Sequence, residues 1–129
     1  MELLVDTNIF VSNLVDEPGR GEIATELLDS EHELYTTILN LMELRSVLVK
    51  KKRQEADRVR EIVAKIPGTV GLLIPDAGDM MAANNYQNET WLYTMDAIIA
   101  TLAKRNDLTL VTFDSELLEH DAVAPETVL

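Results

Sequence analysis

The sequence predicts an α/β domain in three layers, a parallel sheet covered by helices on both faces, and three observations carry that reading. Short runs of strand-forming residues, ELLV at 2–5 and LTLVT at 108–112 among them, alternate with longer helix-forming stretches. Strands separated in this way by helices pair in parallel and are buried on both faces. At 129 residues, the chain is long enough to bury a core and short enough for a single domain over 1–129.

Taken in order, ELLV reads as a buried strand, and residues 7–15 as a helix closed by the Glu17-Pro18-Gly19 turn. A second helix runs from about Gly21 to Asp29 with Ile23, Leu27 and Leu28 as its apolar stripe, and a weak strand follows at 33–36. Residues 37–52 read as one helix and 54–66 as another, stopped by Pro67-Gly68. TVGLLI at 69–74 is a strand, after which Pro75 suits the first turn of a helix reaching about Tyr86. The polar run NNYQNET reads as a loop before a helix from Thr94 to about Arg105. A strand at 108–112, a short helix after Asp114 and a weak last strand near 123–128 complete the series. No internal repeat, low-complexity tract or linker interrupts it.

Composition narrows the function. The chain has no cysteine, which excludes disulfides, thiolate chemistry and a cysteine-ligated zinc site. No apolar run is long enough for a membrane span and no secretory leader is visible, so a cytoplasmic protein is expected. A net charge of −12, from 23 acids against 11 bases, opposes simple nucleic-acid binding and also suits a salt-rich cytoplasm. It leaves room for an enzyme that meets phosphates through bound cations, because a metal ion inverts the local charge.

In a parallel α/β sheet the carboxyl ends of the strands and the amino ends of the following helices share one rim, where open sheets bind ligands. Asp6 ends the first strand, Asp114 follows the strand at 108–112, Asp96 sits in the first turn of the Thr94 helix, and Glu43 lies in the second turn of the helix from Thr37. Glu43 interrupts an apolar stripe, and Asp96 shares a helix face with Ile99, Ala100 and Ala103. Helix capping explains Asp6 or Asp114 alone, and a helix dipole explains Asp96. Neither explains why four acids reach one rim, two of them on packing faces. Crowded, buried carboxylates are costly unless a cation joins them.

LLVDTNIF, TILNLMELRSVL and TMDAIIATLAKRNDLTLVTFDSEL resemble, in order and spacing, the motif blocks of PIN-domain ribonucleases, in particular the VapC-type toxins of toxin–antitoxin pairs. The resemblance spans nearly the whole chain. It implies a five-stranded parallel sheet, Mg²⁺ or Mn²⁺, RNA as substrate, a homodimer and a small antitoxin partner. On that match Asp6, Glu43, Asp96 and Asp114 fall on the family's acidic residues, and Thr7, Asn8 and Thr112 on supporting polar positions. Many relatives carry Asn before the last acid, where this chain has Phe113. The chemistry asks for the same residue types, since Mg²⁺ and Mn²⁺ prefer carboxylate oxygen and retain several waters. Asp6 and Asp96 are expected to be direct ligands, with Glu43 and Asp114 binding directly or through water. Thr112 and Asn8 are expected to aim the acids by hydrogen bonds.

The remaining candidates read more simply. Lys50, Lys51, Lys52 and Arg53 form the one basic cluster, either a solvated helix end or an RNA-backbone contact. Trp91 and Tyr93 read as packing residues, with base stacking as the alternative, and Met80 and Met81 as core. His32 and His120 read as surface histidines. The first two helices are expected to offer an antitoxin tail an apolar groove around Ile9, Phe10, Leu14, Ile23 and Leu27. A phosphoacceptor signalling domain is the rival of another class, but it needs an acidic pair after the first strand and a lysine after a late one. A PIN-like module that binds a partner without cutting is the other alternative.

Overall fold

The computed structural model describes residues 1–129. Four parallel strands form the sheet: β1 (Glu2–Val5), β2 (Glu33–Thr37), β3 (Gly71–Leu73) and β4 (Thr109–Val111), in the order β3-β2-β1-β4. Helices α1 (Thr7–Leu14), α2 (Gly21–Leu28), α3 (Ile38–Ser46) and α4 (Ala56–Lys65) belong to the first half of the chain, and α5 (Ala77–Thr90), α6 (Thr94–Arg105) and α7 (Ser115–Leu118) to the second.

The pleat of β1 sorts its side chains between two cores. Leu3 and Val5 join Ile9, Phe10, Leu27, Leu41, Leu44, Val59 and Val63, whereas Leu4 joins Ala83, Leu92, Ile99, Leu102, Leu110 and Leu117. One core therefore lies under α1–α4 and the other under α5–α7, which makes the three layers. Burial on both faces explains why ELLV reads as continuous apolar sequence rather than as an alternating strand.

Five expectations change. The sheet has four strands rather than five. Residues near 123–128 contribute a single parallel bridge, Val111 to Val123, with the Thr112 amide donating to the Val123 carbonyl at 3.1 Å. Pro125 has no amide to extend the ladder, and Pro125–Val128 winds into a 3₁₀ turn. NNYQNET is the second half of α5 rather than a loop, with Thr90 Oγ1 donating back to the Tyr86 carbonyl at 2.9 Å. Pro75 stays outside α5, which starts behind the Asp76 cap, where Asp76 and Asp79 each accept the other's backbone amide. The expected helix over 37–52 is α3 followed by a π-helical turn, Val47–Lys51, in which the Lys52 amide reaches the Val47 carbonyl at 3.0 Å.

The fifth change concerns exposure. Trp91 and Tyr93 are 79% and 76% exposed and do not pack, and Met81 is 65% exposed rather than core, with Met80 also exposed. Leu92 between the two aromatics is fully buried, and Trp91 ends α5 in the left-handed region at φ 60°. Of the residues expected to line an apolar groove on α1 and α2, Ile9, Phe10 and Leu27 are buried in the first core, Ile23 is half-buried and Leu14 is exposed, lining a small apolar pocket with Phe10, Leu28, Leu34, Ile62 and Ile66. One glycine is favoured by close approach: a Cβ on Gly71 would stand 2.7 Å from the Tyr35 ring of β2, so any larger residue there would push that ring aside.

Candidate active site

β1 delivers Asp6 to the carboxyl edge of the sheet, where it caps α1 by accepting the Thr7 amide at 2.8 Å. Its own amide donates to the Val111 carbonyl at 3.1 Å, fastening the residue to β4. Its carboxylate is held by two further donors, with an acceptor position of Oδ2 left open. Oδ1 also accepts Asn40 Nδ2 at 3.1 Å, and Oδ2 accepts Thr112 Oγ1 at 2.8 Å. Asn40 is held in turn by a capping box with Thr37 at the start of α3, and it gives a second hydrogen bond to Thr7 Oγ1 at 3.0 Å.

Thr112 sits at the centre of the same network. Besides donating to Asp6, its hydroxyl accepts Asn8 Nδ2 and the Asp114 amide, both at 3.0 Å. Asn8 Oδ1 accepts the Phe113 amide at 3.1 Å, so one side chain of α1 holds the whole Thr112-Phe113-Asp114 turn. Asp114 caps the short α7 by accepting the Glu116 amide at 2.8 Å.

Asp6, Glu43, Asp96 and Asp114 line one cleft of about 430 Å³ at this edge, together with Thr7, Asn8, Glu17, Arg20 and Tyr93. Asp96 reaches it from the first turn of α6, and Glu43 from the second turn of α3. Lys51, Lys52 and Arg53 are exposed and lie outside the lining. Sequence reasoning missed Asn40, whose signal was the Thr37-to-Asn40 capping spacing, and also Glu17 and Arg20. It missed Glu116 as well, a further negative charge acting on Asp96.

The electrostatics of the cleft are one-sided. Burial raises the Asp6 carboxyl above its ordinary 3.8; the Thr112 and Thr7 hydrogen bonds oppose that rise, and the charges of Glu43 and Asp114 add to it. Asp96 is pushed up to about 7, first by burial and then by the charges of Asp6, Asp114, Glu43 and Glu116. No basic side chain pairs with any of them, since the ion pairs of the molecule are Arg60 with Asp57, Lys104 with Asp121 and Arg105 with Asp79. No three or more acidic or histidine side chains stand close enough together to hold a metal ion among themselves. The unbalanced charge of Asp6, Glu43, Asp96 and Asp114 is of the kind a hard divalent ion would offset, and these acids would be the ones to hold it.

Comparison with known proteins agrees with this architecture. The PIN-domain family profile matches residues 3–123. A toxin–antitoxin complex from Klebsiella pneumoniae superposes with a TM-score of 0.73 at 23% identity, covering 95% of this chain and 97% of that one. VapC20 of Mycobacterium tuberculosis, a toxin that cleaves the sarcin-ricin loop, gives 0.79 at 18% identity over 94% and 96%. VapBC2 from Rickettsia felis, bound to a promoter DNA fragment, gives 0.73 at 18% over 96% and 97%. No curated protein matches in sequence. With the profile spanning almost the whole chain and the parallel three-layer fold in place, the chain belongs to the PIN-domain family.

Proposed function

We propose that the protein is a divalent-metal-dependent endoribonuclease and the toxin of a toxin–antitoxin pair, acting in the cytoplasm as a homodimer. The observation that carries the nuclease reading is the convergence of four acids in one cleft with no paired cation. Asp6 and Asp96 would hold the metal directly, and Glu43 and Asp114 directly or through water. An ion held there, Mg²⁺ or Mn²⁺, would lower the pKa of a bound water, easing its loss of a proton to give the attacking hydroxide, and would offset charge on the leaving oxygen.

The residues behind the acids set geometry. Asn40, Thr7 and Thr112 present Asp6 in a single orientation, and Asn8 fixes the turn that carries Asp114. Outside the lining, Lys51, Lys52 and Arg53 supply a basic patch to the RNA backbone. An antitoxin partner accords with the complexes of similar fold, which include toxin–antitoxin assemblies.

The test is cleavage of a mixed RNA pool, structured tRNA and ribosomal fragments included, with Mg²⁺ or Mn²⁺ and with EDTA as control. Metal-dependent cleavage is expected. A folded protein that cuts none of these RNAs would favour a PIN-like module that binds a partner without cutting.

A further inference from the structure

Arg20 is the only basic side chain among the residues lining the acidic cleft. In such surroundings a guanidinium is expected to close an ion pair, yet no carboxylate lies within 4.0 Å of it. Glu17, the cleft acid nearest in sequence, is engaged elsewhere: its Oε2 accepts Ser12 Oγ at 2.9 Å. Arg20 is held instead over the ring of Phe113, with Cζ 4.8 Å from the ring centroid.

Both partners in that stack are fixed by backbone. The Phe113 amide is bonded by Asn8, and its ring is partly buried against the first core. On the other side, the α1–α2 connection is a tight turn with Asp16 at φ 49° and Gly19 at φ 82°, and the Gly21 amide donates to the Glu17 carbonyl at 2.6 Å. The turn is packed closely: a Cβ on Gly21 would stand 3.0 Å from Asp16 Oδ1 and 3.1 Å from the Asp16 carbonyl carbon. Arg20 precedes α2 without capping it by its side chain, so the side chain has no structural duty at that helix end.

We infer that Arg20, stacked on Phe113, is a phosphate-binding residue of the cleft, contacting the non-bridging oxygens of an RNA phosphate that lies against the acids. This rests on the nuclease reading of the site. RNA entering a cleft of four carboxylates on a chain of net charge −12 meets repulsion, and a metal would neutralise it only where it sits. A guanidinium offers a planar fork that matches two phosphate oxygens. The stack keeps that fork available by holding it on an aromatic face instead of on a neighbouring acid. Phe113 is then a positioning residue, and its aromatic ring has a use that an amide at the same place would not supply.

The test is steady-state cleavage of short mixed-sequence single-stranded RNA with Mg²⁺ over a series of KCl concentrations. The full chain is compared with Arg20→Ala, Arg20→Lys and Phe113→Leu, and with Arg58→Ala as a control of equal charge at an exposed position outside the cleft. Arg20→Ala is expected to raise KM about tenfold relative to the Arg58→Ala control and to flatten the dependence of log(kcat/KM) on log[KCl] by about one unit. Arg20→Lys should recover the salt slope but only part of the KM. Phe113→Leu should keep the slope, because the charge remains, and raise KM by a smaller factor with kcat unchanged. If the parent cleaves RNA and Arg20→Ala matches Arg58→Ala in both KM and slope, the assignment falls while the nuclease reading stands. If the parent cleaves nothing, both fall together.

Discussion

Asp6 and Asp96 line the same cleft, and both carboxyls are raised above their ordinary value, but they are built in opposite ways. Three donors satisfy Asp6, on both oxygens, and each donor is itself held by a further bond. Asp96 stands at the start of α6 beside the exposed Tyr93, with burial and four neighbouring negative charges against it. The difference teaches how a multi-acid cleft divides its labour. One acid is fixed in position by the fold at the expense of extensive hydrogen bonding, while the other is left electrostatically unbalanced and gains most from a cation.

The sharpest break is to remove one charge at a time. Asp6→Asn and Asp96→Asn should each stay folded by circular dichroism and lose metal-dependent RNA cleavage by orders of magnitude, because Asn retains a helix-capping oxygen but no charge to hold the ion. Two folded variants that cut as fast as the parent would leave Asp6 as a helix cap and Asp96 as a first-turn acid favoured by the helix dipole, with neither holding an ion.

A second group of variants attacks only the rigid side. Asn40→Ala strips one donor from Asp6 and half of the capping box at α3, and Thr112→Val leaves the Asn8 side-chain amide and the Asp114 amide without their shared acceptor. Each should lower stability by about 2 kcal/mol in denaturant titrations. A loss below about 0.5 kcal/mol would mean that the network holds Asp6 no better than water does.

The unbalanced side answers to pH. With the folded-state pKa of Asp96 at about 7 against an ordinary 3.8, the folded protein keeps a proton that the unfolded chain releases, so this group's contribution falls as pH rises between those values and is lowest above them. In EDTA, Asp96→Asn should therefore melt a few degrees higher than the parent above pH 7 and show no such gain near pH 3.8. Mg²⁺ or Mn²⁺ should raise the parent's Tm more than NaCl of equal ionic strength, and more so above pH 7 than at acid pH. Equal effects of the two salts would remove the shared metal site.

The smallest effect lies outside the cleft. Lys51→Ala with Lys52→Ala should weaken RNA binding a few fold and reduce its salt slope, since fewer counterions are released. An unchanged slope would leave the basic cluster as a solvated helix end.

Much of this was legible because it depends on order along the chain. Strand-then-acid at LLVD and at LVTFD, and acids in the opening turns of two helices, place four carboxylates at one rim for any parallel α/β arrangement. What escaped depends on partners distant in sequence. Asn40 looked like a polar neighbour of Glu43 and became the support of Asp6 only through a contact 34 residues away. NNYQNET has a loop-like composition, yet it continues α5 against the buried face of α6, where packing outweighs propensity. Trp91 and Tyr93 were expected inside because they are aromatic, but Leu92 takes the interior position and leaves both neighbours outside. The weak strand near 123–128 had a suitable run of residues in front of it, and Pro125 ended it after a single bridge.

The position of β4 also sets when the cleft can exist. Thr112, which donates to Asp6 Oδ2, lies 106 residues further along the chain, and the two meet only where β4 pairs beside β1. A half-made chain can pair β1 with β2, seat α1–α4 and fill much of the first core while its acids remain scattered. Contacts of such long sequence separation form late because the loop must close before they reward it. The cleft therefore depends on the edge strand β4: a local opening that peels β4 from β1 would separate Thr112 and Asp114 from Asp6 without touching the pairing of β1 with β2.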